Sequence, residues 1–367
     1  MHRNPEQSIS VNSASDDFPD KLRAAENLLQ QRRIREAVDV YNTAEEQGYP
    51  RDRCAAGRWM CWMLAGEFES AWRESDAIEA RGAADPNYFW DGLPFDGRTV
   101  LLRALHGYGD AVQFIRYASL IRRCAERLIV QTHPEMMSLL QRVDGVDEVM
   151  TWPDPPAEQR QWNQEIEIME LPRAFRTTLE SIPNCVPYIS IDSALVQSSR
   201  ERLGKSDKPK VGLLWTSSGY DSSRSMDLEL MRPLLGLNEI ELYSFQRGPA
   251  RAQLAAFAGA ARIHDTALHS PEIIDTAADL SNMDLLISVD TFAAHLAGAL
   301  NRPVWLMLPF AADWRWMLDC DNSPWYPSMR LFRQTVAGNW KQVIGNVLDE
   351  LTARCCAHKL AQFSSAT

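Results

Sequence analysis

The hydrophobic and polar positions of this chain fall into two different patterns. From about Phe18 to Ala83 the apolar residues recur at helical spacing, and no strand-like run interrupts them. Within that stretch RRIREAVDVY and GEFESAWRES align with Ala37 over Ala71, a 34-residue offset, and Gly66 and Phe68 stand where a helical repeat of that period wants a glycine and an aromatic residue. The first copy lacks the glycine, so the array is degenerate. Two repeats bury their apolar faces only against each other, which predicts a helical module that packs on a larger body rather than standing free.

From Gly97 onward short apolar runs alternate with helical or polar segments. RTVLLRAL, Leu128–Val130, Val149–Met150 and Ile166–Met169 form one set of predicted strands. A crossover, SIPNCVPYIS and then the polar SSRERLGKSDKPK, separates them from a second set: VGLLW, ELYSF, ARIHD, DLLISV and PVWLML. Runs of this kind suit parallel strands buried on both faces. The predicted organisation is a polar arm over residues 1–16, expected to be disordered, then helices over 17–90. Two doubly wound α/β domains follow, over 91–195 and 208–340, and a C-terminal helix over 341–357.

Three places in the α/β part carry candidate chemistry. Leu285–Val289 stops at Asp290-Thr291, where a helical period begins with Ala294, Leu296, Ala297 and Leu300. A helix start at the carboxyl end of a parallel strand presents free N–H groups and the positive end of the helix dipole, which suits a phosphate. The run RTVLLRAL feeds His106-Gly107-Tyr108-Gly109-Asp110 and then a helix, the strand, glycine turn and helix order of a ligand loop in α/β folds. Thr216 to Ser225, after VGLLW, is a loop too polar for a core. Five of the twelve tryptophans, at 305, 314, 316, 325 and 340, fall in the last part, where packing of a long loop is their ordinary role.

Composition narrows the function. The formal charge of -11 over 367 residues, with no cluster of Lys and Arg, argues against a nucleic-acid partner. The seven cysteines show no CxxC spacing, and their odd number predicts free thiols in a reducing compartment. Residues 1–16 lack the apolar stretch of a secretory signal, and no later run reaches a membrane span, so a cytoplasmic location is expected.

The C-terminal pattern resembles the signature of glycosyltransferase family 9, the heptosyltransferase-like group, and in particular its bacterial members with tetratricopeptide repeats. The residues that carry the resemblance are Asp290-Thr291, His295 through Leu300, Pro303-Val304-Trp305, Asp313-Trp314-Arg315-Trp316, Trp325-Tyr326-Pro327 and Arg330 through Gln334. It implies the GT-B architecture, two such domains facing a cleft, and a nucleotide-sugar donor. It also implies inverting transfer to an acceptor hydroxyl of a glycan, protein or small molecule, without metal or other cofactor. Asp110 corresponds to the catalytic base, with Gly107 and Gly109 shaping its loop. Arg224-Ser225 corresponds to a phosphate loop whose guanidinium would clamp the diphosphate. Asp290 and Thr291 belong to the donor site, His295 either binds phosphate or fixes the loop, and Gln246 matches a carboxamide that reads ribose or base. The repeats are expected to meet a protein partner or to cap the fold.

One departure bears on the acceptor. Repeat-bearing members have Glu-Gln before the glycine turn, where this chain has Leu105-His106. Two other readings keep the same fold without this chemistry: a non-catalytic scaffold, and another GT-B activity such as a sugar-nucleotide epimerase.

Overall fold

The computed structural model describes residues 20–82, 90–217, 219 and 221–364. The expected arm over 1–16, and Ser218 and Tyr220 of the polar loop, lie outside the described residues. The chain divides into two compact units, one holding residues 1–84 with 313–318 and the other the remainder.

In the first unit α1 (Asp20–Gln30), α2 (Ile34–Glu46), α3 (Arg51–Leu64) and α4 (Phe68–Ala80) pack in succession. The repeat is visible in the backbone: α2 and α4 have the same length, and both start and end 34 residues apart. The residue two positions before each helix takes a left-handed conformation, Gly66 at φ 76° and Arg32 at φ 62°. The first copy therefore adopts the turn without its glycine, at the steric cost of a Cβ in that region. Leu22, Ala37, Tyr41, Cys54 and Cys61 form the apolar interior. Residues 313–318 join this unit: the Trp314 ring meets Trp59 edge-on at 5.7 Å, and the Arg315 guanidinium lies over Trp314 while pairing with Asp313 at 2.9 Å.

The second unit contains two all-parallel sheets. In the first, β1 (Thr99–Arg103) leads through α5 (Tyr108–Phe114) and α6 (Ala118–Arg122) to β2 (Arg127–Gln131), then α7 (Met137–Leu140), β3 (Glu148–Met150), β4 (Gln164–Glu167) and α8 (Leu171–Ala174). Its strand order is β3-β2-β1-β4. After α9 (Ser193–Arg202) comes the second sheet. It comprises β5 (Lys210–Leu214), β6 (Glu241–Ser244), α10 (Gln253–Ala256), β7 (Ile263–Asp265), α11 (Ile273–Leu280), β8 (Leu285–Val289), α12 (Phe292–Ala299), β9 (Val304–Leu308) and β10 (Met329–Arg333), closed by α13 (Trp340–Ser364). Its order is β10-β9-β8-β5-β6-β7. All five residues of β5, of β8 and of β9 are buried, as continuous apolar runs in a doubly covered parallel sheet require.

The structure adjusts two predicted boundaries. The strand expected over Ile166–Met169 ends at Glu167, because its carboxylate accepts the Met169 N–H at 2.7 Å and opens a 3-10 turn. The C-terminal helix starts at Trp340 and continues to Ser364, beyond the expected 341–357. All seven cysteines are free thiols. Among the described residues no helix is long and apolar enough to cross a membrane.

Candidate active site

β5 and β8 are neighbours whose connections leave in opposite directions, toward β6 and β9, so a crevice opens beyond their carboxyl ends. Asp290 follows β8 and is 4% exposed. Its two oxygens lie 3.5 Å from His295 Nε2 and 3.6 Å from Arg224 Nη1. Arg224 ends a short 3-10 turn and also faces Asp221 at 3.7 Å. Thr291 caps α12, accepting the Ala294 N–H at 3.4 Å, and its hydroxyl is 3.0 Å from Ser288 Oγ. A β-region Thr before an apolar helix is why the sequence turns here. His295 is buried, and its Nδ1 lies 2.9 Å from the Tyr326 hydroxyl, so both ring nitrogens face protein groups.

The polar loop is tied back at two points. Ser225 Oγ accepts the Ser217 N–H at 3.1 Å. Gln246, buried after β6, accepts the N–H groups of Trp215 at 3.3 Å and Thr216 at 3.0 Å through its Oε1. Its amide donates to the carbonyls of Thr216 and Arg247, each at 3.1 Å. Two lone pairs and two N–H bonds are the whole capacity of a carboxamide, and all four are used within the protein.

The first sheet repeats the topology. β1 connects onward to β2 while β4 lies on its other side, so the turn after β1 and the end of β4 border a second crevice. Gly107 is the N-cap of α5, and Asp110, at the third helical position, accepts the Gly107 N–H at 3.0 Å. Gly109 is where the two sheets' helices approach: a Cβ there would stand 3.1 Å from His295 Cδ2 and 3.8 Å from the Phe292 Cα. The Tyr108 ring also meets Phe292 edge-on at 5.9 Å. The starts of α5 and α12 are thus in contact, with Gly109 against His295, whose Nε2 lies 3.5 Å from Asp290. Gln246 and Ser225 hold the loop through their bonds to Trp215, Thr216 and Ser217.

Two residues of the site are absent from the sequence reading. Glu167, at the end of β4, is 2% exposed, and its Oε1 lies 3.7 Å from His106 Nε2 without a hydrogen-bond partner. Burial, with the negative charges of Glu170 and Asp110 nearby, pushes its carboxyl up to about 8 against the opposing pull of the Met169 and Leu105 backbones. Arg116 is a buried guanidinium. It donates to the carbonyls of Gln113 at 2.6 Å, Pro183 at 3.3 Å and Trp325, and to the Tyr188 hydroxyl at 3.1 Å. Three aromatic faces, Tyr188, Trp325 and Tyr326, lie 4.9, 5.5 and 4.5 Å from it. Both residues interrupt apolar runs, IEIM and FIRYA, and a charge inside such a run was the available signal. Among the described residues no group of three or more His, Cys, Asp or Glu side chains is placed to hold a metal ion.

No protein-family model matches the chain. It is 26% identical over 294 residues to Protein FlbA of Caulobacter vibrioides, an alignment covering 72% of this chain and 48% of that protein. The chain therefore spans about half the length of the relative it matches. Among solved structures it resembles the glycosyl transferase family 9 protein of Veillonella parvula, with a TM-score of 0.53, 11% identity, and coverage of 74% of this chain and 99% of that one. It also resembles the ADP-heptose LPS heptosyltransferase II of E. coli, with a TM-score of 0.53, 14% identity, and coverage of 71% and 99%. At those identities the likeness is one of fold, an α/β chain built on parallel sheets.

Proposed function

We propose that this protein is a GT-B glycosyltransferase that moves a sugar from a nucleoside diphosphate to an acceptor hydroxyl, with inversion and without a metal. The observation that carries the reading is the meeting of the two crevices at the contact of α5 with α12. It puts the turn that carries a partly exposed carboxylate, Asp110, against the start of α12, where Asp290 stands 3.6 Å from the Arg224 guanidinium. Sugar transfer needs a base and a cation of those kinds.

In this mechanism the donor diphosphate lies between Arg224 and the first turn of α12. Asp110 takes the proton of the acceptor hydroxyl as its oxygen attacks the anomeric carbon from the face opposite the diphosphate. The bond to the β-phosphate oxygen breaks as the new bond forms, and Arg224 with the helix N–H groups meets the charge that develops on the leaving group. A fixed cation and a helix dipole supply there what a divalent ion supplies elsewhere. Asp290 and His295 act indirectly: Asp290 steers Arg224, and His295, held by Tyr326, fixes Asp290. Gln246 and Ser225 keep the phosphate loop in shape rather than reading the nucleotide. The helical unit, as a pair of tetratricopeptide-like repeats, binds a protein partner.

Calorimetric titration of the full chain with ADP, GDP, UDP and CDP tests the donor half of this reading. One diphosphate is expected to bind and to raise the melting temperature, and Arg224→Ala is expected to weaken it. If none binds the unmodified protein, the donor site is misassigned. Adding EDTA to a transfer assay tests the rest: a strict requirement for added Mg²⁺, Mn²⁺ or iron would sink the metal-free mechanism.

A further inference from the structure

Asp110 does not stand alone at the mouth of the first sheet. β1 and β4 diverge there, and β4 ends in a second carboxyl, Glu167, buried under α5 and the turn that leads into it. Its Oε2 is taken by the Met169 N–H and the Leu105 backbone also pulls on the carboxylate, while Oε1 is enclosed without a hydrogen bond, 3.7 Å from His106 Nε2. Besides the His106 ring, the ionisable groups around it are acidic: Asp110 from α5, and Glu170 from its own 3-10 turn, which accepts the Glu167 N–H at 3.1 Å. Tyr108 on α5 bonds to Glu135 instead. The one cation beside it in register, Arg103 on β1, is turned to Asp154 at 2.9 Å and Glu165 at 2.8 Å. A buried carboxyl beside anions, with no guanidinium of its own and the His106 ring 3.7 Å away rather than at hydrogen-bond distance, holds its proton.

We infer that Glu167 is a positioning residue which sets the charge of this mouth: its carboxyl stays protonated while the substrates bind, so that no second anion stands beside Asp110, the proposed base. The inference rests on the transferase reading for its consequence, not for its chemistry. Once Glu167 ionises, a second anion stands beside the place where an anionic donor must approach.

Infrared titration of the full chain reads the proton directly. The C=O band of a protonated carboxylic acid is expected at pH 6 to 7, to fade as the pH passes about 8, and to be missing from Glu167→Gln. In Asp110→Asn the band should fade at lower pH, because a neighbouring charge has gone. A wild-type spectrum without the band, or a band that ignores both substitutions, overturns the inference. Neither arm needs turnover, so a protein that shows the band and transfers no sugar refutes the proposed function alone. Where transfer is measured, kcat/KM for the donor should fall about tenfold per pH unit above the Glu167 titration. That alkaline limb should disappear in Glu167→Gln, whereas a merely structural Glu167 would leave the limb in place at a uniformly lower rate.

Discussion

Asp110 does two jobs with one carboxylate, and the substitution that separates them is Asn. An amide keeps an oxygen to accept the Gly107 N–H, so α5 still starts where it does, but it cannot take a proton. Asp110→Asn is expected to slow transfer ~100- to 10,000-fold with donor affinity largely kept, and wild-type turnover would reduce Asp110 to a helix cap. Glu167 makes a prediction in stability. Its folded carboxyl titrates at about 8, above the ~4.3 of an unfolded chain. The folded state therefore holds a proton that the unfolded state releases, and stability falls as pH rises between those values and levels off above them. Glu167→Gln removes that slope, so its stability relative to wild type should grow by up to ~1.4 kcal/mol per pH unit across the window. Urea denaturation at pH 5, 6, 7 and 8 measures it, and parallel curves would count against a buried proton. Asp110, Asp290 and His295 stood out as candidates because each follows a predicted strand end by one to six positions, and Arg224 because its loop is too polar for a core. Glu167 and Arg116 did not, since their burial comes from segments far away in the chain: α5 over one, and Tyr188, Trp325 and Tyr326 around the other.

Elements meet closely where glycine permits it. A Cβ on Gly298 of α12 would fall 2.5 Å from the ring of Tyr326, which is fully buried, so the ring that holds His295 would have to move. Gly298→Ala should destabilise the protein by ~1 to 3 kcal/mol and lower activity with it, and calorimetric melting checks the first part. In the helical unit Gly66 sits at φ 76°, and Gly66→Ala should cost ~1 kcal/mol at that turn. An unchanged melting temperature would mean the turn relaxes to suit the side chain. At this scale the parallel strands were readable because sheets covered on both faces demand unbroken apolar runs, and β5, β8 and β9 are such runs. The short 3-10 turns that carry Arg224 and end β4 had no periodic signal. They are set by single side chains, Asp221 and Glu167, bonding to backbone two residues on.

At the scale of the whole chain, every residue assigned to the donor lies in the second unit. Removing residues 1–83 is therefore expected to leave nucleoside diphosphate binding within about threefold of the full chain, provided the remainder folds, while transfer to the natural acceptor is lost. Calorimetry and an acceptor assay on the truncated protein separate the two outcomes, and full-rate transfer would make the helices a passive extension. One more property follows from residues 313–318, which belong in sequence between β9 and β10 and in packing to the helices, with Trp314 against Trp59. A protease site engineered between residues 82 and 90 would cut the backbone without freeing the helices, because the larger fragment still supplies part of their interior. The halves made separately should recombine like the pieces of a split reporter. Their affinity would be a direct measure of what those six residues contribute once the covalent link no longer holds them at high local concentration.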